Sequence, residues 1–376
     1  MSASYELWLT TDEGVRLAPL SNILSLEASR VDGGVGSLGA LLPLSFDPDL
    51  LAPDRLIQLW RQPAGGRLGL WNVYLLLEWE FSTQGSDQML EIGGPDMKDL
   101  LGRRIVAAYS GSSQASKTDQ ADDMMKAIVR EALLDSAAPT PIAGTRVWSN
   151  LSVAPDEGIG PLLTRSFSWD YLLTSDGSGI LAELQKASRE AGTEVFFDIV
   201  PNVVTANSIT FQFVTKTDQP GQDVSDQVTF DQAGGNIREP HLRYNYRREK
   251  NYIYAAGPGE ETDRNVQQVF DDTRYSQSIW GRHEGFADAR NQPDDDNAVR
   301  EVGRAELEEG RPRIAFAAQP VDTEGTRFGI EWDFGYKVGA KYLNRQFNTV
   351  IRATTISLDG DGNEDIRARL DYEASI

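Results

Sequence analysis

Short apolar runs cut apart by turn residues dominate both ends of this chain, and no other feature restricts the fold as much. Tyr5–Thr10, Ile23–Ser29, Leu38–Leu44, Arg55–Trp60, Leu70–Phe81 and Met89–Ile92 are rich in Leu, Ile, Val and Trp. Between them stand Asp12–Gly14, Asp32–Gly34, Asp47–Pro48, Pro63–Gly66 and Gln84–Ser86, residue types that supply tight turns. Regular short strands with polar turns predict an antiparallel β region at the N-terminus, a barrel or sandwich rather than a βαβ unit. Strand signals return at Ile209–Thr215, Gln227–Asp231, Leu242–Tyr246 and Asn251–Ala255, and again at Arg313–Gln319, Lys337–Leu343, Asn348–Leu358 and Ile366–Glu373.

Helical patterns interrupt these runs. Gly94 and Pro95 predict a short helix with Met97, Leu100 and Leu101 as its apolar stripe. Ala107–Lys117 reads as a loop. A helix is expected from Thr118, with Ala121, Met125, Ile128, Ala132 and Leu133 inward. Ser136–Gly160 is Pro- and Ala-rich and is expected to be irregular. Ser178–Ala191 is helical in pattern and stopped by Gly192, and Val195–Val200 follows as a strand. Residues 257–297 are acidic and polar and read as an exposed excursion; a helix follows over Asp294–Glu309, stopped by Gly310. The expected organisation is therefore a first β domain over residues 1–106, a mixed α/β insertion over 107–204, and a second β domain over 205–376.

Composition excludes several chemistries. With no cysteine among 376 residues there is no disulfide, zinc ribbon, iron–sulfur cluster or cysteine nucleophile. Two histidines, His241 and His283, cannot make a three-histidine metal site. A net charge of −21 opposes broad capture of nucleic acid or anionic lipid. No run reaches the roughly 18 apolar residues of a membrane span, and Met1–Thr10 lacks the basic and apolar regions of a signal peptide. A soluble protein made in a cytoplasm is expected.

Each motif with a possible chemical meaning has a plainer structural one. Gly34, Gly36 and Gly39 have dinucleotide-loop spacing, but Ala40–Pro43 continues as strand where a helix is required. Asp359, Asp361, Asn363 and Asp365 alternate like calcium ligands, yet Glu364 and Leu370 fill the glycine and bidentate-acid positions, so a polar hairpin turn is expected. Asp294, Asp295 and Asp296 suit a helix start. From His241 to Tyr254, arginines, Lys250 and tyrosines interleave as a nucleic-acid stacking platform might, but an amphipathic hairpin paired with the chain's own acids accounts for them as well. Glu78 and Glu80 share one strand face around Trp79, the best pair for glycoside cleavage. No nucleophile elbow is present. No catalytic, cofactor-binding or metal-binding residue is assigned, and no enzyme activity or cofactor is expected.

The C-terminal phrase is the most specific feature. Phe328 to Leu343 reads FGIEWDFGYKVGAKYL, followed by Phe347–Ile356, a polar turn and a last strand. This resembles the end of baseplate-hub proteins of long-tailed bacteriophages, in which a phrase of the type G-x-D-W/Y-x-L-G-D-x-V precedes two barrel strands. Phe334 replaces the family's Leu, and Tyr336 stands where Asp is usual. Gly36–Leu44 with Leu50–Trp60, and Gly93–Val106 with its Asp-Leu-Leu core, are similar to further family patterns.

The resemblance implies two tail-tube-like antiparallel β-barrel domains with smaller mixed domains between them. Three copies would form a pseudo-sixfold ring joining a sixfold tail tube to a threefold tip. It implies a homotrimer in the virion tail tip or baseplate. Its partners would be the tail tube or distal tail ring, the tape-measure protein and tip or fibre proteins, with DNA passing through unbound and no membrane contact. An acidic bore would repel passing phosphate, giving the net charge a role. Two rivals stay open: a carbohydrate-binding receptor-recognition protein using exposed aromatics, and a cell-wall hydrolase.

Overall fold

The N-terminal apolar runs all form strands, and there are two more strands than the pattern marks. In the computed structural model, which describes residues 3–85, 87–106, 115–134, 147–167 and 169–375, they are β1 (Ser4–Thr10), β2 (Arg16–Leu20), β3 (Ser25–Val31), β4 (Ser37–Pro43), β5 (Arg55–Gln62), β6 (Gly69–Leu76), β7 (Glu78–Gln84) and β8 (Asp87–Pro95). The run Leu70–Phe81 is two strands, because the chain changes sheets at Leu77, whose N–H donates to Gly93 O at 3.2 Å. The helix expected at Gly94–Pro95 starts later, as α1 (Asp99–Gly102). Gly94 stays in the strand because a Cβ there would lie 1.8 Å from Leu75 O. Asp96 then accepts the Gly36 and Lys98 N–H groups at 2.9 and 3.0 Å, which fixes the corner.

The middle of the chain is mixed, as its pattern predicts. It holds β9 (Ala115–Gln120), α2 (Ala121–Leu133), β10 (Leu151–Val153), β11 (Leu162–Phe167), α3 (Ile180–Glu190), β12 (Val195–Val204), β13 (Ile209–Thr217) and β14 (Thr229–Asp231). Thr118–Gln120, read as the helix start, instead pairs with β11. Residues 107–114 and 135–146 of the two expected irregular stretches lie outside the described residues. Met124, Met125, Ile128 and Val129 of α2, Leu181 and Leu184 of α3, and Phe197, Phe211 and Phe213 of β12 and β13 share one core with Leu56, Val73 and Leu75 of β5 and β6.

The remainder is β15 (Ile237–Asn245), β16 (Tyr252–Ala256), β17 (Val266–Phe270), α4 (Asp272–Gln277), β18 (Glu284–Asp288), α5 (Asp296–Glu309), β19 (Arg313–Pro320), β20 (Lys337–Tyr342), β21 (Arg345–Leu358) and β22 (Glu364–Ser375). The chain divides into two compact units: Met1–Arg238 with Gln319–Leu370, and Glu239–Ala318 with Asp371–Ile376. In the smaller unit, β16 pairs antiparallel with β17 and parallel with β18, and α5 lies across one face of that sheet. Gly303 permits the close approach: a Cβ there would sit 3.0 Å from Ala255 Cβ and 2.9 Å from Val269 Cγ2. Residues 257–297, read as an excursion, thus supply β17, α4 and β18.

The molecule is mainly β with α+β insertions, but the two closed barrels expected from the resemblance do not form. Strands β2–β1–β5–β6 make one open sheet. The larger sheet of the same unit runs β22–β21–β3–β4–β8–β7, also open, with β20 beside β21 and β14 beside β20. The physical reason is the partner that β21 chooses. It pairs with β3, from Ala353 opposite Val31 to Leu358 opposite Leu26, so the C-terminal strands complete an N-terminal sheet instead of closing on themselves. Nor is the pairing wholly antiparallel: β10 with β13, β14 with β20, and β16 with β18 are parallel.

Candidate functional site

The sequence motifs take their plain structural roles. Gly34, Gly36 and Gly39 lie in and after the turn from β3 to β4, with no helix behind them. Asp359 closes the β21–β22 turn, its carboxylate accepting the Asp361 and Asn363 N–H groups at 3.0 and 2.9 Å and the Asn363 side chain at 2.9 Å. Asp295 caps α5, accepting from Asn297 N and Ala298 N at 3.0 Å each. Among the bases from Arg243 to Lys250, Lys250 pairs with Glu306, while neighbouring Glu249 takes Arg274 at 2.6 Å. Glu78 and Glu80 are exposed on β7, Glu80 directly opposite Glu91, and Trp79 between them is half-buried. His241 is exposed, and the His283 ring stands 3.5 Å from Ser278 Oγ. Among the described residues no three His, Asp or Glu side chains are placed to hold a metal ion.

The buried charges of the larger unit act as pins. Arg352 on β21 donates to Asp32 at 2.6 Å and to both carboxylate oxygens of Glu194 at 2.9 and 2.6 Å. Gln185 on α3 donates to the same two acids at 3.1 Å. Burial pushes the Asp32 carboxyl above its usual range, against the pull of Arg352 and Gln185 and with help from the second acid, Glu194. Arg61 on β5 holds Glu364 with two bonds, 2.8 and 3.0 Å, and donates to the Phe328 carbonyl at 3.1 Å. Its Nε also reaches the Tyr5 hydroxyl, which itself donates to Glu364. On α2, Asp122 and Lys126 pair at 3.1 Å with both side chains fully buried, and strap the following loop through Ile159 N and Pro155 O. Each set joins separate stretches of the chain, and all of their side chains except that of Arg352, 31% exposed, meet little solvent. Their chemistry is mechanical: fixed geometry, not turnover.

The phrase around Trp332 is a knot of the same kind. Trp332 donates Nε1–H to Thr326 O at 2.8 Å and packs against Phe328 and, edge-on, Phe230 with centroids 4.9 and 5.7 Å apart. Burial pushes the neighbouring Asp333 carboxyl up, while Arg30 and the Phe334 N–H pull it down.

The smaller unit carries the surface that sequence reading missed. α5 covers the Ile253 and Ala255 side of its sheet. The register puts Tyr252, Tyr254, Val266, Phe270 and Phe286 on the other side. Phe270 is stacked on Tyr252 with centroids 5.1 Å apart, and Arg282 lies 4.1 Å over the Tyr252 ring. Nearby in sequence, Ile279 and Trp280 are 88% and 84% exposed. The alternation Val266, Gln268, Phe270 was the available signal, hidden by the acidic composition around it.

The fold and its parts match known phage tail proteins. A family model described as Siphovirus ReqiPepy6 Gp37-like protein matches residues 73–370. The tail protein from Neisseria meningitidis MC58 shares the fold, with a TM-score of 0.53 and 10% identity over 99% of this chain and 97% of that one. The 43 kDa tail protein of prophage MuSo2 from Shewanella oneidensis does so as well, with a TM-score of 0.53 and 12% identity over 98% of each chain. No curated protein matches.

Proposed function

The chain belongs to the siphovirus ReqiPepy6 Gp37-like family, and from that membership we propose that it is the structural hub of a phage tail tip or baseplate. The observation that carries the reading is the family match from residue 73 to 370, supported by a fold shared over the whole length with tail proteins. The hub is a ring of three copies. It joins a sixfold tail tube, or a distal tail ring, to a threefold tip, touches the tape-measure protein and tip or fibre proteins, and surrounds the path of the DNA. Residues 107–204 are the mixed insertion of this hub, flanked by its two β regions. The role is structural, not enzymatic: the buried acids are committed to internal donors, and rigidity is what a ring at the end of a pressurised conduit requires. The net charge of −21 supports an acidic surface facing the DNA, which repels phosphate and lets the genome slide.

Cryo-electron microscopy of tails carrying this protein tests the reading. Three copies on the axis at the distal end are expected; its absence from the tip, or any copy number that is not a multiple of three, overturns it.

A second reading, recognition of a surface carbohydrate, has one feature in its favour: the exposed Trp280 and the half-exposed Phe286, flat faces on which a sugar ring could stack. Binding on a glycan array that Trp280→Ala abolishes would favour it over the hub.

A further inference from the structure

We propose that the end of β15 and the turn after it bind a polymer of phosphodiesters through Arg243, Arg247 and Arg248. The inference goes beyond the hub reading and does not depend on it.

The bases cluster where acids are absent. Pro240 to Arg248 reads PHLRYNYRR, with three arginines and no carboxylate, in a chain of 57 acids and 36 bases. The fold keeps these arginines together and outside. Among the described residues β15 is the end strand of its sheet, with β19 on one side and no strand on the other. Arg243 is exposed near its end. The chain then turns: Glu249 N–H donates to Tyr246 O at 3.1 Å, and Arg247 N–H donates to Asn245 Oδ1 at 3.1 Å. Those bonds put Arg247 and Arg248 at the two central positions of the turn, both exposed.

Their charge is left uncompensated. Neighbouring bases of the smaller unit have acids: Lys250 holds Glu306, Arg274 holds Glu249, and Arg311 holds Glu308. Among the described residues, the side chains of Arg243, Arg247 and Arg248 have neither an ion pair nor a hydrogen bond. Glu249, the next acid along the chain, is 4% exposed and already held by Arg274. The overall charge of −21 does not cancel such a patch, because exposed charges more than about 8 Å away are largely screened at physiological salt.

The arrangement selects the ligand. Arg243 and Arg247 are at most about 14 Å apart along the backbone, at about 3.4 Å per residue. A single anion cannot reach all three guanidiniums, whereas a chain of anions can. The guanidinium fork matches phosphate oxygens. Tyr244 and Tyr246, 42% and 45% exposed, stand between the arginines and offer rings on which bases stack. Two sources supply the chemistry: a single-stranded nucleic acid and a phosphate-linked polymer of a cell surface.

Fluorescence anisotropy of the full chain with labelled oligothymidine, and with labelled poly(glycerol phosphate), tests the site. Raising salt from about 50 to about 200 mM should weaken binding of the single strand about 20-fold, as three phosphate contacts demand. The triple variant Arg243→Ala, Arg247→Ala, Arg248→Ala should weaken it roughly tenfold or more and flatten the salt dependence, with a melting temperature within about 2 °C of the parent because all three are exposed. Removing equal charge from the larger unit, by Arg67→Ala, Lys216→Ala and Lys341→Ala, should leave binding unchanged. Tighter binding of oligothymidine, lost by about fivefold or more in Tyr246→Ala, identifies nucleic acid; tighter binding of poly(glycerol phosphate), unaffected by Tyr246→Ala, identifies the surface polymer. The proposal is overturned if neither polymer binds at about 50 mM salt, or if the two triple variants weaken binding equally. It is also overturned if polyglutamate binds as tightly as either, which would make the partner an acidic protein. None of these results bears on the hub reading.

Discussion

Arg61 holds three distant parts of the chain with one guanidinium: Tyr5, Glu364 and the Phe328 carbonyl. Its side chain is 4% exposed, so removing it leaves Glu364 without its buried counter-charge. Arg61→Ala should lower the unfolding free energy by about 3–5 kcal/mol, as breaking one half of a buried pair does, measured by chemical denaturation. A loss under 1 kcal/mol would show that Glu364, its carboxyl already pushed up to about 7 by burial, takes a proton when Arg61 is gone. Asp32 gives a second prediction, in pH. Burial raises its pKa in the folded protein, so the native state holds that proton more tightly than the unfolded chain. Its contribution is greatest below the ordinary Asp value and declines as pH climbs through the raised one. Asp32→Asn cannot lose the proton. The melting temperature of the variant minus that of the parent should therefore grow between pH 4 and pH 7, and a flat or falling difference contradicts the assignment. Neither pin could be read in the sequence. Asp32 was legible only as a turn residue, and nothing local links it to Arg352, 320 positions away.

At the scale of elements, the legible ones were those whose stop signals are local. Asp295 and Gly310 bound α5, and Gly192 follows the last turn of α3, because caps depend on a single residue's backbone and side chain. Asp295→Ala, losing two capping bonds, should destabilise the smaller unit by about 1 kcal/mol, read by hydrogen exchange along α5. Unchanged protection there would mean the cap is redundant. The elements that were misread are those decided by partners. β7 separates from β6 at Leu77 because Gly93 waits for its N–H. α1 starts late because Gly94 must lie flat on Leu75. The Asp359 turn and the glycine turn after β3 were legible as turns, since each lies between two strands that the pattern itself marks.

At the scale of the whole molecule, class and family were visible while strand order was not. The phrase ending at Leu343 pointed to tail hubs, and the family match agrees. The expected barrels failed because pairing partners in a sheet carry almost no local signal: β21 is equally apolar whether it faces β3 or a strand of its own region. Exposure was legible in part: residues 257–297 read as an exposed excursion, and Ile279 and Trp280 within it stand in solvent. Replacing both by Ser should leave the melting temperature within about 2 °C, since isolated surface changes stay near 0.5 kcal/mol, and should raise the concentration at which the free protein aggregates. A large loss of stability would place them in a core instead.

The bond between β3 and β21 also sets a clock during synthesis. Val31 leaves the ribosome some 320 residues before its partner Ala353, a wait of roughly 15–60 s at typical elongation rates. For that interval one flank of β3 has no neighbour and is open to wrong pairing with other nascent chains. Cells making this protein quickly, as an infected cell does, should depend on holding chaperones for its yield, and slower translation should reduce the misassembled fraction.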